Sequence, residues 1–208
     1  MLNKIPDFIQ NTPWQNHLWR VPTTENVLYL TFDDGPTPGV TNKTLEILEK
    51  HNAKASFFCL GRNAEHHPNL VEEIVEKGHR LGNHSYSHLK GFQTSTDIYL
   101  EDVKLAARFL KTKLFRPPYG RIRVKQAKRI ANYFQVVMWD ILSHDYNRKI
   151  SPDKCYRNVV NFVQPGSIIV FHDSEKAAPN MLEALPKTLE TLTKQGYRFE
   201  VIPYEYGK

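Results

Sequence analysis

The sequence predicts an α/β fold in which parallel strands are joined by right-handed helical crossovers, either as an open doubly wound sheet or as a barrel. Three observations lead there. Strand-like runs alternate with helix-like stretches along the chain, 208 residues suit one substantial core, and polar clusters recur where strands end and helices have not begun.

The strand-like runs lie at 27–32, 55–59, 79–82, 114–115, 135–139, 167–171 and 197–202. Between them, 41–50 sets Leu45, Ile47 and Leu48 near one stripe, and 69–77 ends at Gly78 in the manner of a C-terminal cap. The segment 96–111 is the longest amphipathic stretch, and 124–133, 152–163 and 180–195 complete the helices. Residues 1–26 lack such a pattern and read as an irregular arm over one end, leaving 27–208 as one domain.

Composition excludes several classes. Hydrophobic content of 40% and charged content of 24% are ordinary globular values. No segment reaches the uninterrupted apolar length of a transmembrane helix. The net charge of +6 arises from Lys and Arg spread among 22 acidic residues without an aromatic-interleaved basic cluster, so no nucleic-acid partner is expected. Cys59 follows an apolar run and Cys155 lies in a predicted helix start, and two such distant cysteines form neither a disulfide framework nor a thiolate metal site. The opening residues MLNKIPDFIQNTPWQ lack the apolar core of a signal peptide. If Met1 is the natural start the protein is expected in the cytoplasm; if a leader was removed, outside it.

The clusters carry the chemistry. Asp33 and Asp34 follow the first strand, His84 and His88 the third, Arg116 the fourth and Asp145 the fifth, while His172 and Asp173 close the sixth. Each has an ordinary alternative. FDDGP is favourable turn chemistry, and FRPPYGR is a turn stiffened by two prolines. A histidine ending the apolar strand IIVFHD can be a satisfied core residue. In NHSYSH, a helical turn would put His84 and His88 on one face. Two neutral imidazoles and a carboxylate across a barrel mouth make the three-ligand, open-site pattern of a catalytic divalent ion, and His172 at the same mouth is placed for proton transfer.

In this order TFDDGP, HSYSH, RPPYG, WDILSHDY and IIVFHD resemble the five motifs of the NodB-homology polysaccharide deacetylases, carbohydrate esterase family four. The resemblance spans about 27–203. It implies a distorted (β/α)7 barrel, TIM-barrel-like, with the active site at the C-terminal ends of the parallel strands and 27–208 as the catalytic domain. It also implies metal-dependent removal of acetyl groups from N- or O-acetylated sugars of a glycan, with one divalent ion, zinc first and cobalt, nickel or manganese as alternatives.

The resemblance further implies roles. Asp34, His84 and His88 hold the metal; Asp33 takes a proton from water; Arg116 pairs with Asp33 through a two-pronged guanidinium. The backbone N–H of Tyr119 supports the oxyanion, and His172 protonates the leaving group with Asp145 beside it. Two positions depart from the family pattern: Tyr146 stands where tryptophan is usual, and Val170 where leucine is common. Both belong to the expected wall of the acetyl pocket. Two rival readings share the fold, a hydrolase of a non-sugar amide and a glycan-binding pseudoenzyme, and retention of all seven polar positions argues against the latter.

Overall fold

A computed structural model of the protein describes residue 4 and residues 17–204. Its strands are β1 (Val27–Asp33), β2 (Ala55–Cys59), β3 (Arg80–Asn83), β4 (Leu114–Phe115), β5 (Gln135–Val136), β6 (Ile141–Leu142), β7 (Ile168–His172) and β8 (Arg198–Phe199). They run in the order β5-β4-β3-β2-β1-β7-β6 with every pairing parallel, and β8 pairs with the start of β1. The helices are α1 (Val40–Lys50), α2 (Gly61–His66), α3 (Pro68–Glu76), α4 (Thr96–Ala106), α5 (Val124–Ile130), α6 (Pro152–Val160) and α7 (Ala178–Lys194).

This is the distorted seven-stranded barrel. Its distortion lies between β5 and β6, which do not pair among the described residues. Instead Leu18 bridges Val137, Lys4 bridges Ile141 and Arg20 bridges Ser167. Residues 1–3 and 5–16 of the expected arm lie outside the described residues. Where the arm is described, Leu18 and Val21 are buried in an apolar cluster with Tyr29, Phe58, Leu114 and Ile168.

All seven residues of β1 are buried because both faces of the strand are covered, which is why it reads as a nearly continuous apolar run. Leu28, Leu30 and Phe32 face the helices, where Phe32 stacks between Phe57 and Phe171 at centroid distances of 5.0 and 6.1 Å. Opposite them, Leu45, Leu48, Ile74, Leu185 and Leu189 supply the helical side of the same core. Truncating Phe32 to Ala would cost about 3–5 kcal/mol. The alternate residues point into the barrel, so Asp33 is the last inward residue of β1. Asp33 is paired in register with His172 of β7, and the parallel order brings the ends of β1, β3, β4 and β7 to one mouth.

Two glycines are required by close approach. A Cβ at Gly166, where φ is +83°, would lie 1.9 Å from the Val21 carbonyl oxygen, and one at Gly82 would strike the Phe58 ring at 2.4 Å. The second gap makes room for the Phe58 ring, which is buried in the cluster with Tyr29 and Leu114.

Several expected boundaries move. The run 135–139 stops pairing as a strand after Val136, because Met138 N–H turns to Leu18 O at 2.7 Å; β6 then forms without having been expected. Strands of two residues leave no alternation to read. The helix expected at 69–77 begins at Pro68, whose missing N–H suits a first turn, and α2 precedes it. The helix expected at 96–111 stops at Ala106, starting from a Ser95 cap whose hydroxyl accepts from Ile98 N–H. Cys59 and Cys155 are free and buried, as expected of structural thiols. No helix among the described residues is long and apolar enough to cross a membrane.

Candidate active site

The mouth holds two polar networks on adjacent strands. The first is built around Arg116, which follows β4 and is fully buried. Its Nη1 donates to Asp33 Oδ1 at 2.6 Å and to Thr31 Oγ1 at 2.7 Å, Nη2 donates to Met138 O at 2.9 Å, and Nε donates to Val137 O at 3.3 Å. The guanidinium centre lies 4.1 Å from the centroid of the Phe58 ring and 5.6 Å from that of Trp139. A charge this deep is tolerable because its donors find acceptors and its faces meet aromatic rings. The expected two-pronged clasp of Asp33 is therefore corrected: one nitrogen reaches the carboxylate, while Nη2 and Nε are occupied by the backbone of 137 and 138.

Asp34 turns away from its neighbour because its backbone is left-handed, with φ 77°. That inversion answers how two adjacent carboxylates serve different partners. Asp34 Oδ1 lies 3.6 Å from His84 Nε2 and 3.2 Å from His88 Nε2, and the three candidate ligand atoms fall within 4.8 Å of one another. The two histidines do not share a helical turn. Ser85 at φ 66° and His88 at φ 59° fold the loop so that their rings converge at a centroid distance of 5.1 Å. Ser85 Oγ accepts from His88 N–H at 3.0 Å and helps fix this turn.

Three observations fit this triad to a divalent ion. Ligand bonds of about 2.0–2.2 Å in a tetrahedron put neighbouring ligand atoms about 3.3–3.6 Å apart, close to both separations found. Asp34 Oδ1 is buried and receives no well-aligned hydrogen bond, an orphaned acceptor aimed at both imidazoles. His84 Nδ1–H donates to Arg116 O at 2.8 Å, which fixes the tautomer and leaves Nε2 with a free lone pair. Burial holds the His84 imidazole at about 4 against the pull of Asp33 and Asp34, so it is neutral at pH 7 as a ligand must be. Burial alone would raise Asp34, but contact with His88 and the nearby His172 and His84 keep its carboxyl well below the usual range.

The second network ends β7. His172 Nδ1 lies 2.7 Å from Asp145 Oδ1, and the His172 backbone N–H donates to Asp145 Oδ2 at 2.6 Å. Asp145 is fully buried and accepts a further bond from Tyr146 N–H at 3.0 Å, while Asn180 anchors its carbonyl oxygen at 3.0 Å. Burial opposes a charged His172, yet Asp145 outweighs it and the imidazolium is pushed up to about 9. Tyr146 sets its ring edge-on to His172 at 5.1 Å, with the Lys176 ammonium 5.5 Å from the same ring. Val170 lies two residues before His172 on the same inward face, fully buried and paired with Thr31 and Leu142. Tyr119, at φ 60° between Pro118 and Gly120, is more than half exposed, and its ring lies 4.6 Å from that of His88.

All ten residues given roles from the sequence thus line or underlie one mouth. Four supporting residues were not given roles. Thr31 and Phe58 hold Arg116. Asp173 accepts from Thr41 Oγ1 at 2.6 Å and fills the space a Cβ at Gly35 would need, with burial pushing its carboxyl up to about 7. The alternation of β1 could have pointed to Thr31; nothing local marks Thr41 as the partner of a residue 132 positions away.

A family model described as "Polysaccharide deacetylase" matches residues 20–139. A peptidoglycan-N-acetylglucosamine deacetylase of Bacillus cereus is 36% identical over 190 residues, which cover 88% of this chain and 69% of the relative. Among solved structures, a peptidoglycan N-acetylglucosamine deacetylase superposes with a TM-score of 0.84 at 34% identity, covering 90% of this chain and 91% of the other. A family 4 carbohydrate esterase from Streptomyces lividans, in complex with acetate, superposes with a TM-score of 0.78 at 31% identity, covering 87% and 95%.

Proposed function

The chain belongs to the polysaccharide deacetylase family, carbohydrate esterase family four, and from that premise we propose that it hydrolyses acetyl groups from N-acetylated sugars of a glycan, such as N-acetylglucosamine units. One observation carries the reading: a carboxylate held by Arg116 and an imidazole held by Asp145 stand in register on adjacent strands beside a three-ligand metal set. O-acetyl groups present the same carbonyl. The catalytic unit is assigned to 27–208 and the N-terminal arm to 1–26, of which Leu18 and Val21 pack against the barrel.

Asp34, His84 and His88 would hold one divalent ion, zinc first given two nitrogen ligands and one oxygen, with cobalt, nickel and manganese as alternatives. Such an ion, when bound, lowers the pKa of water and polarises a carbonyl. Asp33, kept off the metal by the left-handed turn at Asp34 and locked by Arg116, takes the proton of the attacking water. Attack breaks the carbonyl π bond, and the electron pair moves onto oxygen. The Tyr119 N–H, presented by the stiff PPYG turn, donates to that oxyanion, a contribution of about 3–4 kcal/mol for one well-placed donor. Collapse of the tetrahedral centre expels the sugar nitrogen, which takes the proton of His172. With its imidazolium at about 9, His172 carries that proton at neutral pH, and Asp145 stabilises the charge until transfer. Tyr146 and Val170 form the wall beside the methyl of the acetyl group.

The decisive experiment is acetate release by purified, metal-loaded protein from chitooligosaccharides, peptidoglycan fragments and acetylxylan. Release from at least one is expected. No release from any, with turnover of simple non-sugar acetamides, would instead favour the non-sugar amide hydrolase.

A further inference from the structure

Beside the catalytic mouth, Trp19, Phe92, Arg121, Ile122 and Met138 line a cavity of about 370 Å³, a volume within the ordinary range for ligand sites. It adjoins the catalytic loop covalently, since Gly120 lines it and follows Tyr119 directly. Its floor adjoins the Arg116 network through Met138, whose carbonyl accepts from Arg116 Nη2. Trp19, Phe92, Arg121 and Ile122 have no part in the chemistry above.

The walls are fixed in advance of any ligand. Gln126 is fully buried, and its Nε2 donates to Gly91 O at 2.9 Å and Thr94 O at 3.1 Å, while its Oε1 accepts from Arg123 N–H at 2.9 Å. One amide thus ties the turn carrying Phe92 to the turn carrying Arg121, and the Arg123 guanidinium adds a bond to Phe92 O. Phe92 nevertheless leaves 56% of its surface exposed, an aromatic face held still in water. A pyranose ring presents apolar C–H surface that packs on such a face.

Charge narrows the occupant. Arg121 lines the cavity, Lys90 lies over the ring of Tyr119 next to Gly120 of the lining, Arg123 reaches Phe92 O, and none of the three is paired with a carboxylate among the described residues. The three acids of helix α4 are engaged elsewhere: Asp97 with Arg129, Glu101 with Lys104, and Asp102 with the N–H groups of Tyr86 and Ser87. Lys90 leans over the Tyr119 ring at 5.7 Å, and Arg121, which lines the cavity itself, is exposed. A planar guanidinium matches a carboxylate better than any neutral sugar hydroxyl does.

We propose that this cavity is a glycan subsite that receives a carboxylate-bearing sugar next to the one being deacetylated, with Arg121 as the carboxylate's partner and Phe92 as the stacking face. The inference rests on the deacetylase reading for its substrate strand, but it concerns selectivity rather than chemistry.

The test compares two oligosaccharides of equal length, a chitooligosaccharide and a peptidoglycan glycan fragment bearing lactyl carboxylates, on metal-loaded protein. Binding is measured by calorimetry in an Asp33→Asn background and kcat/KM by acetate release in the otherwise unaltered chain. Arg121→Gln should lower the ratio of carboxylate-bearing to neutral affinity about tenfold or more, through KM rather than kcat. Arg108→Gln, which removes the same charge from an exposed site remote from the cavity, should leave that ratio unmoved. Phe92→Ala should weaken both ligands together. An unchanged ratio in Arg121→Gln, or an equal fall in Arg108→Gln, overturns the subsite. Calorimetry keeps the two readings apart: if no acetate is released from any glycan, the deacetylase reading fails while the carboxylate preference is still read from binding.

Discussion

Asp140 and Asp145 lie on one short crossing segment, both without exposed surface, at opposite ends of the barrel. At the floor, Asp140 accepts from Ser167 Oγ at 2.8 Å and Ile168 N–H at 2.8 Å, and burial pushes its carboxyl up to about 6 although these donors pull it back. At the mouth, Asp145 meets an imidazole that titrates. The pair shows that burial of a carboxylate does not mark function; what matters is whether its partner can change charge. Asp140 holds the start of β7 in place, while Asp145 sets the charge of a proton donor.

The contrast should be largest at the mouth. Asp33→Asn should lower turnover by about 10²–10⁴-fold at every pH, since no other residue is placed to take the proton, and should also lower the thermal unfolding midpoint, because the buried Arg116 guanidinium loses its counter-charge. Comparable turnover in this variant would remove Asp33 from the chemistry.

Asp145→Asn should act through pH instead. In the native chain the descending limb of the rate profile belongs to His172 at about 9, lowered somewhat by a cation in the same mouth. Without the carboxylate, burial is opposed only by the charges of Asp34 and Asp33 across the mouth, and the limb should move to lower pH. The same shift predicts a stability term: the folded value lies above the unfolded one, so the pair's contribution is complete below about 6.5 and lost as pH rises through about 9. A variant with the native limb would break the link between these two residues.

The smallest effect on activity should come from the floor. Asp140→Ala leaves Ile168 N–H and Ser167 Oγ–H without their acceptor and should destabilise by about 1–3 kcal/mol in denaturant unfolding. Its kcat/KM and pH profile should stay close to native. A displaced descending limb here would mean that the floor, too, tunes His172.

Much of this mouth was legible because function sits at strand ends, and strand ends can be read from apolar runs: Asp33, His172 and Arg116 each follow one. What stayed hidden depends on contacts between distant positions or on backbone hand. Nothing in NHSYSH announces that His88 is left-handed rather than helical, and nothing near Arg116 reveals that the carbonyls of 137 and 138 claim its other nitrogens. Strand β6 was unreadable because two residues carry no period. Asp140 stood inside a recognised motif, yet its partners begin a strand 27 residues later.

The account's central claim is that the mouth divides into a metal set and a proton donor that can be separated. The most direct test measures bound metal and acetate release together in the native chain, His88→Ala and His172→Ala. His88→Ala should lose metal affinity by about 100-fold or more, beyond what loss of an outer-shell partner costs, and lose turnover with it. His172→Ala should keep its metal and lose turnover alone. Full hydrolysis by chelated, metal-free native protein, or metal loss in His172→Ala equal to that in His88→Ala, would contradict the division.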